Sequence, residues 1–392
     1  MSMNYSAQEA GRPQPQTTIE PAAAGSPFIR YSQPGRGPQY TVTASSFGAT
    51  ITQPLVARPG YARQFRVTQT LVSGGALTGS TLSADGLASV NSLIQCRDSF
   101  GTPLFVVSGY TAAQVIPYVA GSFGVLGGTN WYQNLPSYSA YNASATAGAT
   151  MGQFSYTIPF EFATGIGTLS MANASLLPTL QFNLNSEANV LGSGVTGTAP
   201  TINTSVEVDY WWLPEGSPDI TPPGLGTTRQ YQEVQMNPTL GASTSARLQA
   251  PRTGGYLDNL TFVVRDSTGA RTDSFFPTTG RIQLYVDGVP LNDSSWNSLI
   301  DDQAIAYQST SGLGNARPAG VLSYSRKTSL SQVNLGKLDS SEQVLSTNPS
   351  TLIELNASPW GAGNGNTPAT VTAVFGQIVA TGAIIQGLPE VG

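Results

Sequence analysis

The segment Arg58-Pro59-Gly60-Tyr61-Ala62-Arg63-Gln64-Phe65-Arg66-Val67 has a counterpart in the second half of the chain, Arg252-Thr253-Gly254-Gly255-Tyr256-Leu257-Asp258-Asn259-Leu260-Thr261-Phe262. In both segments a Gly-Tyr pair is followed, four residues beyond the Tyr, by an apolar residue, and the two pairs lie 195 positions apart. A second match has nearly the same offset. Ile94-Gln95 leads to Gly101-Thr102-Pro103-Leu104, and Ile282-Gln283 leads to Gly288-Val289-Pro290-Leu291. Because order and spacing agree as well as identity, the matches indicate a duplication of one structural unit.

The residues around these matches alternate between apolar and polar with a period of two, which predicts half-buried strands. In Phe65 to Leu71, residues Phe65, Val67 and Leu71 fall on one face and Arg66, Thr68 and Thr70 on the other. Similar runs recur along the chain, separated by clusters of Gly, Pro, Asn, Asp and Ser, as an all-β sandwich requires. They are Phe154 to Phe162, Thr179 to Leu184, Ser205 to Leu213, Leu260 to Val264, Arg281 to Val286, Thr351 to Leu355 and Val371 to Ala380. Only Asp85 to Leu93, behind a capping Ser83 or Asp85, and Asp293 to Ile300 predict short helices.

Breaker residues divide the chain into four parts. Residues 1–45 are polar and rich in proline and predict an extended N-terminal arm. Residues 214–224 form the densest interior cluster of Pro, Gly and Asp. We therefore expect a first sandwich over residues 46–215, a linker over 216–228 and a second sandwich over 229–392.

The composition excludes several classes of function. Charged residues make up only 10% of the 392 residues, against about 25% in an ordinary domain. With 17 basic residues and a net charge of −5, the chain has no large basic patch, so direct binding of nucleic acid is not expected. The absence of histidine removes the Ser-His-Asp and Cys-His mechanisms and histidine ligation of metals. The single Cys96 excludes an intramolecular disulfide. We found neither a signal peptide nor a membrane-spanning apolar run.

Carboxylates remain as candidate reactive groups, and each has a simpler structural interpretation. Glu207 and Asp209 lie two apart on one strand, whereas glycosidases place their two carboxyl groups across a cleft. Asp301-Asp302, and Asp98 with Asp85, are possible calcium ligands, but no Asp-x-Asp-x-Asp-Gly loop accompanies them. We therefore assign no catalytic, cofactor-binding or metal-binding residue and expect no cofactor. An aromatic cluster in the Gly121 to Gly152 loop predicts a contact between subunits or, alternatively, a sugar platform; its members are Trp131-Tyr132, Tyr138 and Tyr141.

The sequence resembles the double jelly-roll major capsid proteins of tailless double-stranded DNA bacteriophages with an internal membrane, the tectivirus-like group. The resemblance covers residues 46–390 and depends on the duplicated sandwich, on Ala84 to Asp98 and on Ile158 to Phe182. It implies an all-β chain of two tandem eight-stranded jelly rolls with short inserted helices. Family members often begin with a helical segment that faces the membrane, whereas Gly11-Arg12-Pro13-Gln14-Pro15 disfavours a long helix here.

We therefore expect a non-enzymatic structural capsid protein that forms homotrimers, each a pseudo-hexameric tile of an icosahedral virion shell. The resemblance further implies assembly in the host cytoplasm, contacts with minor capsid or vertex proteins, and an internal viral membrane. Low charge agrees with closely tiled copies, since like charges on neighbouring subunits repel. The alternative is a β-sandwich spike or adhesin that binds a receptor or glycan, and a carboxylate-dependent glycoside hydrolase is a more distant possibility.

Overall fold

The computed structural model describes residues 27–120, 137–162, 165–217, 220, 222, 227–236, 245–249, 255–276, 281–307, 317–325, 345–347, 351–358 and 370–380. These residues form two β-sandwiches that follow one another along the chain. The first sandwich contains β1 (Gln33–Ser45), β2 (Thr50–Pro54), β3 (Tyr61–Val72), β4 (Asn91–Arg97), β5 (Pro103–Val107), β6 (Thr150–Pro159), β7 (Leu169–Ser170), β8 (Thr179–Leu184) and β9 (Thr201–Trp212). The second contains β10 (Thr227–Met236), β11 (Ser245–Gln249), β12 (Gly255–Arg265), β13 (Arg281–Val286), β14 (Val289–Ser294), β15 (Val321–Ser325), β16 (Leu345–Thr347), β17 (Leu352–Ser358) and β18 (Thr370–Ala380).

The two sandwiches have the same strand topology. In the first, the sheet β1-β9-β3-β6 faces the sheet β2-β8-β4-β5; in the second, β10-β18-β12-β15 faces β11-β17-β13-β14. The short strands β7 and β16 are additional and pair with β3 and β12. Each set of eight is the four-plus-four arrangement of a jelly roll. The predicted fold class, two tandem eight-stranded jelly rolls, is confirmed.

The repeats found in the sequence occupy corresponding places. Gly60-Tyr61 and Gly255-Tyr256 stand at the start of β3 and β12. Ile94-Gln95 lies on β4 and Ile282-Gln283 on β13, and each leads through a glycine turn into the next strand, β5 or β14. A β-bulge also recurs. The pairing of β3 with β9 shifts between Ala62 and Gln64, and the pairing of β12 with β18 shifts between Leu257 and Asn259, again 195 positions later.

The sandwiches are joined by a shared sheet. Strand β10 of the second sandwich pairs in parallel with β5 of the first, through Tyr231 with Phe105 and Gln232 with Val106. This pairing merges one sheet from each sandwich into a nine-stranded sheet, β16 included. The second core, built around Phe262, Phe375 and Leu355, is separate from the first.

The predicted N-terminal arm needs a correction at its end. Strand β1 begins at Gln33, inside the segment assigned to the arm, and pairs antiparallel with β9 from Gln33 with Trp212 to Ser45 with Ile202. Its prolines, Pro34 and Pro38, obscured the strand pattern; they are tolerated because β1 pairs on one side only, and an edge strand does not need every N–H. Residues 1–26 lie outside the described residues.

The helices are short, and the sequence predicted only some of them. The first predicted helix is a 3₁₀ turn over Gly86–Val90, and the second is α4 (Trp296–Tyr307). A π-helical turn over Thr111–Val115 continues into α2 (Ile116–Ala120), and we call this continuous segment the β5–β6 helix. The β5–β6 helix and α4 follow corresponding strands, β5 and β14. The remaining α-helices of the described chain are α1 (Pro27–Tyr31) and α3 (Glu187–Leu191). Within the described residues, no helix is both long enough and apolar enough to cross a bilayer.

Candidate assembly surfaces

The outer face of the β1-β9-β3-β6 sheet carries the Glu207 and Asp209 pair. Asp209 is buried between two arginines: its Oδ1 accepts from Arg36 Nε at 2.7 Å, and its Oδ2 accepts from Arg66 Nε at 2.6 Å. Gln64 Nε2 donates to the same Oδ2 at 2.6 Å. Glu207 is exposed on the same strand face, so the two carboxylates do not oppose one another across a cleft. Asp209 thus holds three neighbouring strands together.

Burial raises the pKa of Asp209, but the hydrogen bonds from Gln64, Arg36 and Arg66 lower it more, so its pKa lies below the ordinary 3.8. A lowered folded-state pKa stabilises the protein above the unfolded-state pKa, and this contribution is lost as the pH falls through the folded-state value. We expect Asp209→Asn to lower the urea midpoint at pH 7, and the difference from the wild type to shrink as the pH falls below 3.8. A difference that is the same at pH 7 and pH 3 would contradict this assignment.

Asp85 joins the two sandwiches. It precedes the Gly86–Val90 turn but makes no capping hydrogen bond with its side chain. Its carboxylate binds two arginines of the second sandwich. Arg265 Nη1 and Arg271 Nε donate to Oδ1 at 2.9 and 3.1 Å, and Arg265 Nη2 lies 2.9 Å from Oδ2. Of the two predicted caps, Ser83 and Asp85, Asp85 stands at the N-cap position, but its side chain does not cap the turn because the carboxylate serves a long-range ion pair.

Tyr110 completes this inter-sandwich cluster. The guanidinium groups of Arg271 and Arg265 lie 4.0 and 5.1 Å from the centre of its ring. Arg271 Nη1 also donates to the Tyr110 hydroxyl at 2.6 Å. Burial raises the pKa of Tyr110 to about 12, although Arg271 opposes the shift. Cation–π contacts are strongest where the cation is desolvated, as here. We call Asp85, Tyr110, Arg265 and Arg271 the inter-sandwich cluster.

Further hydrogen bonds and an aromatic contact connect the two sandwiches. Glu233 on β10 accepts from the backbone N–H of Ser108 at 2.7 Å and from its hydroxyl at 2.8 Å. The rings of Phe105 and Tyr231 meet edge to face, with their centres 6.2 Å apart. At the other end of the β5–β6 helix, the Tyr118 hydroxyl donates to Gln303 Oε1 of α4 at 3.5 Å. The β5–β6 helix is therefore enclosed between the sandwiches.

The remaining carboxylates singled out from the sequence lie apart from the inter-sandwich cluster. Asp98 accepts from the backbone N–H groups of Phe100 and Thr102 at 2.9 and 2.7 Å, which shapes the turn between β4 and β5. Asp301 and Asp302 are exposed on α4. The structure brings Asp98 and Asp85 into no common site. Among the described residues, no three His, Cys, Asp or Glu side chains come together in an arrangement able to hold a metal ion.

The aromatic cluster is only partly described. Trp131-Tyr132 lie outside the described residues. Tyr138 and Tyr141 are half-buried and pack against the first core, and the Tyr141 hydroxyl lies 2.7 Å from Ser80 Oγ. Their predicted role at a subunit contact stays a prediction.

Neither arginine of the inter-sandwich cluster was singled out from the sequence. The apolar run that precedes Arg265 does, however, indicate a buried strand next to the cluster. Leu260-Thr261-Phe262-Val263-Val264 is a nearly continuous apolar run directly before Arg265. Such a run is typical of a strand that is buried on both faces. Indeed Phe262 and Val264 lie in the second core, whereas Val263 belongs to the first hydrophobic cluster.

Comparison with solved structures identifies the architecture. No family model and no curated protein matches the sequence. The structure is similar to the STIV MCP, with a TM-score of 0.59 and 16% identity over 89% of this chain and 97% of that one. It is also similar to VP54 of PBCV-1, with a TM-score of 0.56 and 13% identity over 88% and 93% of the two chains. The chain has the double jelly-roll fold.

The likeness extends over both jelly rolls, since the matched structures are covered almost completely. A structure of the Sulfolobus Turreted Icosahedral Virus agrees, with a TM-score of 0.57 and 15% identity over 91% of this chain and 94% of that one. These matches confirm the predicted resemblance to double jelly-roll major capsid proteins at the level of the fold. The double jelly roll presents three features that bear on function: the shared sheet, the inter-sandwich cluster and an open sheet face.

Proposed function

We propose that this chain is the major capsid protein of a virus and that three copies form one pseudo-hexameric capsomer of an icosahedral shell. The observation that carries the proposal is the joining of two sandwiches of identical topology into one body by the β5–β10 pairing. The solved structures with the same fold support the capsid role. Three such chains present six equivalent sandwiches, the number that a six-sided tile needs.

The inter-sandwich contacts fit this role because a tile must keep the relative position of its parts. Asp85, Arg265 and Arg271 form a largely buried ion pair network, and the β5–β6 helix fills the space between the sandwiches. Buried interfaces of this kind resist hinge motion more than a flexible linker does. Each chain therefore supplies two sandwiches in one fixed orientation.

We propose a structural rather than a catalytic role for the carboxylates. Asp85 and Asp209 are each held by two arginines, so their charges are used to join strands and sandwiches. The same proposal takes the virus to be a bacteriophage. It includes assembly in the host cytoplasm, contacts with minor capsid or vertex proteins, and an internal membrane. It also includes the absence of direct nucleic-acid binding and a linker that begins at 216 and ends before Thr227, where β10 starts.

The first test is the mass of the native protein. We expect sedimentation equilibrium of the purified protein to give three times the chain mass of 40.9 kDa, independent of concentration over a tenfold range. Closed rings have a defined stoichiometry because their contacts are all satisfied. A persistent monomer that binds a glycan array would contradict the proposal and support a spike or adhesin.

A further inference from the structure

The two corresponding sheets of this chain differ in one face. The β10-β18-β12-β15 sheet is buried on both sides, with Val263, Val321 and Val374 facing the first sandwich. The outer face of the β1-β9-β3-β6 sheet is polar and open. Thr68 and Ser155 are partly exposed there, and the Arg36 side chain is 53% exposed. One copy of the repeated sheet is covered, and the other is not.

The shared bulge and the strand register align the two faces residue by residue. Val263 pairs with Val321 across β12 and β15, and Thr68 pairs with Ser155 at the corresponding place on β3 and β6. Glu207 occupies the position of Val374, because Arg66 pairs with Glu207 as Thr261 pairs with Val374. Arg36 corresponds in the same way to Tyr231, the residue that contacts Phe105. Among the described residues, each of these four apolar contact residues of the covered face thus has a polar counterpart on the open one.

The β5–β6 helix and α4, which follow the corresponding strands β5 and β14, also differ in burial: the first is covered and the second has an exposed side. In the β5–β6 helix, Thr111 to Ile116 are all buried between the sandwiches. Helix α4 exposes Asn297, Ser298, Asp301 and Asp302, which lie on one side because they are spaced by one, four and five residues. Within the chain, a buried helix and a covered sheet face meet between the two sandwiches. The exposed side of α4 and the outer face of the β1-β9-β3-β6 sheet correspond to these two surfaces, but neither is covered within the chain.

We propose that the open face of the β1-β9-β3-β6 sheet binds the exposed side of α4 in a second copy of this chain. The inference depends on the proposed capsomer and names the surface through which its subunits meet. The contact repeats between chains the one that joins the sandwiches within a chain. It brings Asp301 and Asp302 to a polar face that carries Arg36 and Arg66, both paired with Asp209, and the exposed Glu207. Its two halves are different surfaces, so it is head-to-tail, and in the proposed capsomer three such contacts close a ring.

The polar character of the open surfaces follows from when the contact forms. Within the chain, the two halves are tethered and become buried during folding, so apolar residues are favourable. Between chains, each half is exposed to water until assembly, and a large exposed apolar patch would promote aggregation. Charged and hydroxyl side chains keep the free chain soluble and can still form hydrogen bonds across the assembled contact.

Crosslinking between introduced cysteines tests the contact. We expect the full-length Ser155→Cys, Ser298→Cys double variant, treated with a short bismaleimide, to give covalent dimers and trimers on a denaturing gel, and each single variant to give neither. The native Cys96 does not interfere, because it is completely buried and burial raises the pKa of its thiol. The matched control is Thr50→Cys with Ser298→Cys, since Thr50 is exposed on β2 in the opposite sheet; it should give no dimers or trimers.

The outcomes separate this inference from the function on which it depends. A trimer by mass that crosslinks through Thr50 and Ser298 but not through Ser155 and Ser298 overturns the inference and leaves the capsomer intact. Labelling of Ser155→Cys as fast as Thr50→Cys in the trimer also overturns it, because the face is then open. A monomer by mass overturns the proposed function itself. Crosslinking through Ser155 and Ser298, together with slower labelling of Ser155→Cys than of Thr50→Cys in the trimer, supports the contact.

Discussion

Asp85→Asn is expected to destabilise the protein by about 3–5 kcal/mol, the usual cost of removing one partner from a buried ion pair. Asp85, Arg265 and Arg271 are each less than a fifth exposed, so little solvent screens the charges. Asparagine keeps one oxygen but turns an N–H₂ group toward one arginine and removes the negative charge. Two buried guanidinium groups then lose their counterion. Urea unfolding, measured at one fixed protein concentration, reports the loss.

The matched control is Asp293→Asn. Asp293 also forms an ion pair with an arginine, Arg281, but both side chains are well exposed and belong to the same hairpin. Exposed pairs contribute little, so its urea midpoint should stay close to that of the wild type. Equal effects of the two variants would mean that the contact between the sandwiches is not desolvated as the structure indicates.

Val263→Asp is expected to cost at least about 4–5 kcal/mol and to prevent stable docking of the two sandwiches, because it places a carboxylate in an apolar interface without a partner. Val263 is 2% exposed and belongs to the hydrophobic cluster shared by both sandwiches. The expected readouts are a large fall in the urea midpoint and a loss of soluble native protein.

Thr68→Asp is the control for this variant, since Thr68 occupies the corresponding position on the open face. It loses the hydrogen bond to Ser155 Oγ but, in the unassembled chain, leaves the new carboxylate at a partly exposed position that water can reach, so that chain should fold with a much smaller fall in the urea midpoint. If Thr68→Asp destabilised the chain as much as Val263→Asp, the contrast between the covered and the open face would be wrong.

The strand pattern was predictable because one face of most strands is buried, and the period of two then appears directly in the sequence. Thr179–Leu184 and Arg281–Val286 have the bounds that the alternation predicts. Strand β1 was missed because its prolines and glycines at an edge position hide the period. The β5–β6 helix was missed for a related reason: it is buried on all sides, so its apolar residues have no polar face to reveal a helical period.

The inter-sandwich cluster was not predictable from the sequence, although its arginines flank a predictable surface. Asp85 and Arg265 lie 180 positions apart, and only the docking of the two sandwiches brings them together. An aspartate directly before a short helical turn, such as Asp85, predicts an N-cap. The local sequence cannot show that arginines 180 or more positions away bind the same carboxylate. The duplication, by contrast, was visible because the turns and strand starts demand particular residues, such as glycine at Gly101 and Gly288, both with positive φ.

A pseudo-hexameric capsomer requires that each chain contribute two equivalent sandwiches to a closed ring of its own copies. Electron microscopy of the purified native protein at a resolution that separates sandwiches measures this directly. We predict particles of three chains in which six sandwiches alternate, first with second, around a nearly hexagonal outline. Single chains, or rings in which first sandwiches contact only first sandwiches, would contradict it.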